Sequence, residues 1–191
     1  LADNDKANSV ILEDRTEIKA DFVLVGIGII PNTELASEAG LAVDAGIVLD
    51  DYGQSSNSDV YAAGDCTSFM FREEYIRLES VQNAIDQAEC VADNINGETR
   101  KYNPYPWFWS DQYNVKLQIA GLNRGYDNIV IRDGEREGST SHFYFRGDAL
   151  LAVDAMNDPR TYMVAKKMLE AGRNITPEQA ADKSLVLKDL L

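Results

Sequence analysis

Apolar positions recur along the chain with different spacings, and each spacing predicts a different element. Between Ser80 and Asn96, the residues Val81, Ala84, Ile85, Ala88, Val91, Ala92 and Ile95 follow the 3.6-residue repeat of one helix face. Ser80 can cap the first free N–H groups of that helix, and Gly97 can supply the left-handed residue that ends it. Phe22-Val23-Leu24-Val25 is an unbroken apolar run, which predicts a strand covered on both faces. Asp59-Val60-Tyr61-Ala62-Ala63 predicts a second buried strand, running directly into Gly64-Asp65. Val10 and Leu12 alternate ahead of a turn at Glu13-Asp14-Arg15-Thr16, the pattern of a short hairpin.

Smaller signals complete the map. Thr33 is placed to cap a short helix over residues 34–39, stopped by Gly40. Val48-Leu49-Asp50-Asp51-Tyr52-Gly53 reads as a strand entering a turn. Beyond the proline-containing link near residues 102–106 the spacing changes to short alternating strands: Val115, Leu117 and Ile119, then Ile129 and Ile131, then Phe143 and Phe145. Arg146-Gly147-Asp148 predicts a hairpin turn into a strand over residues 149–153. Helices follow over residues 161–171, ended by Gly172, and from Thr176, where Pro177 at N1 and Gln179 at N3 form a capping box. The chain therefore divides into residues 1–30, 31–103 and 104–191. The last segment is expected to be a small α+β domain built on an antiparallel meander.

Composition narrows the function. With 191 residues, 45% hydrophobic, the chain can bury a real core. The net charge of −14 argues against nucleic acid, whose phosphates require Lys and Arg. No run of about 18 apolar residues predicts a membrane span. Cys66 and Cys90 lack CxxC spacing, so they read as two reduced thiols of a cytoplasmic protein and not as a metal or disulfide centre. The chain starts at Leu1 without a signal-peptide pattern and is expected to be part of a longer protein.

Four segments carry candidate chemistry. In Ala62-Ala63-Gly64-Asp65, a glycine permits close approach of a ligand to the backbone, and the carboxylate beside it can accept hydrogen bonds from a diol. A strand followed by an ordinary Asp turn would look the same. In Val25-Gly26-Ile27-Gly28-Ile29-Ile30-Pro31-Asn32, glycines free the backbone at a strand end, for a ligand or for a tight crossover alone. Arg77-Leu78-Glu79-Ser80-Val81-Gln82-Asn83-Ala84 opens the long helix, where free N–H groups and the helix dipole favour an electron-rich ligand edge. Pro106-Trp107-Phe108-Trp109-Ser110-Asp111-Gln112-Tyr113 is an aromatic string that core packing alone can explain.

Taken in this order, the four segments resemble the FAD-dependent NAD(P)H:ferredoxin reductases that serve oxygenases. These belong to the two-dinucleotide-binding-domain flavoproteins, the FAD/NAD(P)-linked pyridine nucleotide-disulfide oxidoreductases. The resemblance runs to about Leu187 and implies an α/β fold: a parallel-sheet remnant and long helix, followed by a small α+β C-terminal domain with an antiparallel sheet. It implies that residues 1–30 end an NAD(P)H-binding domain and residues 31–103 are the return segment of an FAD-binding domain. It also implies site roles. Asp65, with Gly64 beside it, meets the FAD ribityl chain. The Val81 N–H meets the flavin carbonyl, with Glu79 and Ser80 near the nicotinamide. Trp109 lies beside the isoalloxazine, and Gly26 and Ile27 offer backbone contacts on the nicotinamide side.

The activity implied is electron transfer from NAD(P)H through FAD to a [2Fe-2S] ferredoxin that feeds an oxygenase or cytochrome P450, with no side chain acting as general acid or base. Docking of an acidic ferredoxin would call on Arg72, Arg77, Arg100, Lys101 and Arg124, although each reads equally as scattered solubilising charge. No Gly-x-Gly-x-x-Gly follows a strand, so both phosphate-cradling loops are missing from these residues. Two alternatives stay open. One is another flavoprotein of the superfamily, such as an NADH oxidase, a rubredoxin reductase or an apoptosis-inducing-factor-like protein. The other is an FAD-free, partner-binding C-terminal fragment.

Overall fold

Residues 1–30 form one unit of the computed structural model and Pro31–Leu191 a second. All residues are described except Leu1, Asn4 and Asp5. In the first unit, β1 (Ala2–Asp3) pairs antiparallel with β2 (Lys6–Ala7), and β3 (Ser9–Ile11) with β4 (Glu17–Lys19). The expected hairpin is thus present. Leu12 N–H donates to the Thr16 carbonyl at 2.9 Å, and Arg15 takes a left-handed conformation at φ +68°.

The strand expected over residues 22–25 is absent. Phe22 and Leu24 are exposed at 80% and 89%, and the segment joins no ladder. An apolar run becomes a doubly covered strand only where neighbours complete its ladder and layers pack on both faces. Among the described residues of the first unit there are two two-stranded pairs and no such neighbour.

The second unit opens with α1 (Glu34–Glu38), ended by Gly40 at φ +74°. Thr33 precedes it but makes no side-chain cap bond. Its ψ of 8° lies outside the extended region that aims a capping hydroxyl at the first turn. Next, β5 (Ile47–Val48) pairs parallel with β6 (Thr67–Phe71), and β6 pairs antiparallel with β7 (Glu74–Ile76). Residues 59–63, expected to be a buried strand, are half-buried loop apart from exposed Asp59, with one bridge between Tyr61 and Gln54. The edge of β5 is taken by Thr67 and Ser68 instead, after the chain has turned at Gly64.

The long helix α2 (Val81–Ile95) is capped by Ser80, whose Oγ accepts from the Asn83 N–H at 3.0 Å, and Gly97 follows at φ +95°. Its burial departs from its apolar stripe, of which only Ala84 and Val91 are half-buried. Asn83, Gln87 and Cys90 face inward, whereas Val81, Ile85 and Ile95 are exposed at 62%, 48% and 61%. The inward polar groups are held by loop backbone and Tyr102. Asn83 Nδ2 donates to the Leu78 carbonyl, Asn83 Oδ1 accepts from the Tyr102 hydroxyl at 2.7 Å, and Asn94 Nδ2 donates to the Tyr52 carbonyl. Burial pushes the Tyr102 hydroxyl pKa far above its ordinary range, so it stays a donor.

The C-terminal segment is a five-stranded antiparallel sheet in the order β10-β11-β12-β9-β8. Its strands are β8 (Trp107–Gln112), β9 (Val115–Gly121), β10 (Asn128–Asp133), β11 (Thr140–Arg146) and β12 (Ala149–Met156). The alternating runs form strands as expected, but the sheet is not a simple meander, because β12 returns to pair with β9. Phe143, Phe145 and Val153 from one sheet face pack on Ala165 and Met168 of α3 (Pro159–Glu170) and on Ala180 of α4 (Pro177–Ala181). Asp158 caps α3, and the capping box of Thr176 and Gln179 caps α4. A smaller cluster of Leu49, Phe69, Ile76 and Leu78 takes Phe108 and Leu122 against it, joining the C-terminal sheet to the β5–β7 sheet.

Candidate functional site

Gly64 turns the chain at φ +88°, a conformation that favours glycine. Its N–H donates to Gln87 Oε1 at 2.8 Å, and its carbonyl accepts from the Thr67 hydroxyl at 2.8 Å. Gln87 is 1% exposed and also lies 3.0 Å from Thr67 Oγ1. A Cβ built on Gly64 would stand 3.6 Å from Ala84 Cβ. The loop is therefore locked onto the first turns of α2. Asp65 leaves this lock on the exposed side, and its carboxylate has no hydrogen-bond or ion partner among the described residues. A free acceptor beside a glycine cradle suits the hydroxyls of a polyol.

The N-terminus of α2 adds donors. Ser80 Oγ is engaged with Asn83 N–H, while the Val81 N–H lies in the first turn, where no intrahelical acceptor exists. The Glu79 carboxylate is held by Arg77, with Nε at 3.1 Å and Nη2 at 2.7 Å, and Arg77 Nη1 donates to the Ala45 carbonyl at 2.7 Å. Glu79 is thus a fixed, paired acid and not a free one.

Trp109 projects from β8 at 50% exposure, its ring 5.6 Å from that of Trp107. Lys166 Nζ lies 4.4 Å from the centre of a Trp107 ring. Trp107 also lines a cleft of about 360 Å3, to which α2 contributes Gln82 and Asp86. The structure thus unites Gly64, Asp65 and the start of α2, and connects Trp109 to the α2 side through Trp107. Gly26 and Ile27 belong to the first unit, in non-strand chain. Ile27 is 91% exposed, and no atom comes within 4 Å of a Cβ built on Gly26.

The cations expected to dock a partner are mostly engaged. Arg77 pairs with Glu79, Arg100 with Asp93 at 2.6 Å, Lys101 with Asp51 at 2.7 Å, and Arg124 with Glu74 at 3.7 Å. Arg72 makes no ion pair among the described residues. Cys66 and Cys90 are both free thiols, and burial pushes the Cys90 pKa up. No His, Cys, Asp and Glu group among the described residues is placed to hold a metal, and no described helix is long and apolar enough to cross a membrane. Gln87 is the site residue that sequence reasoning missed. No local pattern marks it, because it lies off the apolar stripe that the sequence presents as the buried face.

Both halves of the chain resemble known proteins. Residues 1–88 match the family model described as pyridine nucleotide-disulphide oxidoreductase, and residues 107–191 match the one described as reductase C-terminal. Rhodocoxin reductase of Rhodococcus erythropolis is 45% identical over 96% of this chain and 43% of its own length. Putidaredoxin reductase CamA of Pseudomonas putida is 40% identical over 99% of this chain and 45% of its own. Among solved structures, the ferredoxin reductase for the CYP199A2 system of Rhodopseudomonas palustris superposes with a TM-score of 0.91 at 42% identity, over 99% of this chain and 47% of that one. The covalent putidaredoxin reductase–putidaredoxin complex gives a TM-score of 0.88 at 40% identity, over 96% of this chain and 44% of that one. The chain spans about half the length of these relatives.

Proposed function

The chain belongs to the pyridine nucleotide-disulphide oxidoreductases that carry a reductase C-terminal domain, and from that premise we propose that it forms the flavin-edge half of an NAD(P)H:ferredoxin oxidoreductase. In this reading the enzyme passes electrons from NAD(P)H through FAD to a [2Fe-2S] ferredoxin that serves an oxygenase or a cytochrome P450. When bound, FAD supplies the conversion of a hydride equivalent into single electrons. The protein's part is positioning, and no side chain moves a proton.

One observation carries the reading. The Gly64 N–H is hydrogen-bonded to Gln87, which ties the Asp65 carboxylate to the N-terminal turns of α2 as one rigid group. Asp65 would accept from ribityl hydroxyls, and the Val81 N–H with the helix dipole would favour an electron-rich carbonyl edge of the flavin. Glu79, held by Arg77, and Ser80 would border the nicotinamide. Trp109 would cover the ring system; Gly26 and Ile27 belong to the first unit, where the expected backbone contacts would have to come from. The pyrophosphate anchor lies outside these residues, since no dinucleotide fingerprint occurs in them. The division into residues 1–30, 31–103 and 104–191 and a cytoplasmic location belong to the same proposal.

The test is cytochrome c reduction by the flavin-loaded enzyme with NADH, with and without a [2Fe-2S] ferredoxin. Strong stimulation by ferredoxin is expected. Equal rates without it would overturn the acceptor. One relative, 36% identical, is a rubredoxin reductase, so rubredoxin in place of ferredoxin is the control that separates the two.

A further inference from the structure

A second cavity, of about 280 Å3, opens where the β6–β7 hairpin, residues 103–106 and α3 meet. Its lining includes the apolar Phe71, Pro104, Pro106 and Leu169, with Tyr105 and Asn103 beside them. Two charged side chains line it, Arg72 and Lys166, and no carboxylate does. In a chain of net charge −14 that is an unusual local balance.

The two cations differ. Lys166 is already engaged, 3.7 Å from Glu170 and stacked on Trp107. Arg72 is not: its guanidinium lies 5.1 Å from the Phe71 ring centre and has no hydrogen-bond or ion partner among the described residues. Partial burial, and then the nearby Arg146, push the proton affinity of Arg72 down. The hairpin also holds Arg72 and Glu73 at φ +47° and +74°, a left-handed pair that side chains other than glycine seldom adopt. Arg72 is nonetheless exposed and solvated, so what the cavity offers an anion is a cation with no protein counter-ion to displace.

We propose that this cavity binds a small aromatic monocarboxylate, its carboxylate on the Arg72 guanidinium and its ring against Phe71, Tyr105 and Leu169. The apolar lining of Phe71, Pro104, Pro106 and Leu169 selects against a bare inorganic anion. The volume, just below the roughly 300–1,000 Å3 range of ligand pockets, limits the body to about one ring. The proposal needs neither flavin nor nicotinamide nucleotide, so it stands or falls apart from the redox reading.

The test is calorimetric titration of the protein with benzoate, followed in parallel by tryptophan fluorescence, with benzamide and inorganic phosphate as the comparison ligands. Saturable benzoate binding is expected, with benzamide at least about tenfold weaker. Arg72→Gln should weaken benzoate about ten- to a hundredfold. Lys166→Gln should weaken it less, since that charge is already paired. Arg72→Lys, which keeps a cation on the same turn, should fall between parent and Arg72→Gln, and it serves if the Gln variant does not fold. Equal binding of benzoate and benzamide, unchanged affinity in Arg72→Gln, or phosphate binding as tightly as benzoate would each overturn the proposal.

Discussion

Asp65 and Gln87 play opposite parts in one loop. Asp65 keeps its carboxylate free, while Gln87 spends its carbonyl oxygen on holding Gly64. In the flavin-loaded enzyme, Asp65→Ala should weaken FAD retention by about tenfold or more, the loss of one charge-assisted hydrogen bond of ~1.5–3 kcal/mol. FAD content after extensive dialysis reads this out, and full retention would remove Asp65 from the site. Gln87→Leu keeps the volume but strands the buried Gly64 N–H. Stability should fall by about 1–3 kcal/mol in chemical denaturation. A third residue answers to pH. Burial raises the Asp154 pKa, against the opposing hydrogen bond donated by the Tyr144 hydroxyl at 2.8 Å. Tyr144 in turn is pushed up to about 12 by burial and by Asp154. Folded Asp154 thus holds its proton more tightly than the unfolded chain does. Its stabilising contribution is complete below the unfolded pKa of 3.8 and is lost as pH rises through the folded value. Asp154→Asn keeps an acceptor for Tyr144, so its Tm should gain on the parent between about pH 3 and pH 7. A constant difference across that range would contradict this.

At the scale of elements, caps and glycines were legible because they act locally. Ser80, Gly97, Thr176 and Gln179 each sit where their own backbone geometry demands them. Gly121 is different, because its demand comes from another strand. At φ +83°, a Cβ on it would fall 2.2 Å from the Leu151 carbonyl oxygen and 3.0 Å from Ala152 Cα. Gly121→Ala should destabilise by roughly 3 kcal/mol or more, whereas Gly147→Ala, at φ +55° with nothing within 4 Å of its Cβ, should cost about 1–2 kcal/mol. Thermal or urea unfolding of the two variants side by side checks the contrast. The strands expected over residues 22–25 and 59–63 failed for a related reason: an apolar run does not report whether a neighbouring strand edge is available to it.

For the whole molecule, the decisive feature is the outward apolar face of α2. Val81, Ile85 and Ile95 meet water in this chain while Asn83, Gln87 and Cys90 are buried on the inner side. Contiguous exposed apolar surface of this kind binds hydrophobic dyes and promotes association. The 191-residue chain should therefore enhance 8-anilinonaphthalene-1-sulfonate fluorescence, and Ile85→Gln should reduce that enhancement. An unchanged signal in the variant would place the dye elsewhere.

The sequence by itself determined the type and caps of α2 and α4, the end of α3 at Gly172, most strands of the C-terminal sheet, and the segment containing Gly64 and Asp65. Those rest on periodicity, on local turn chemistry and on short-range strings of residues. Only the tertiary structure decided which face of α2 is buried, that β12 lies between β9 and β11, that Gln87 is the anchor of the Gly64 loop, and that Arg72 is left without a partner. Each of these depends on groups distant in sequence competing for the same hydrogen bond, strand edge or counter-charge, and no local pattern records the outcome of that competition.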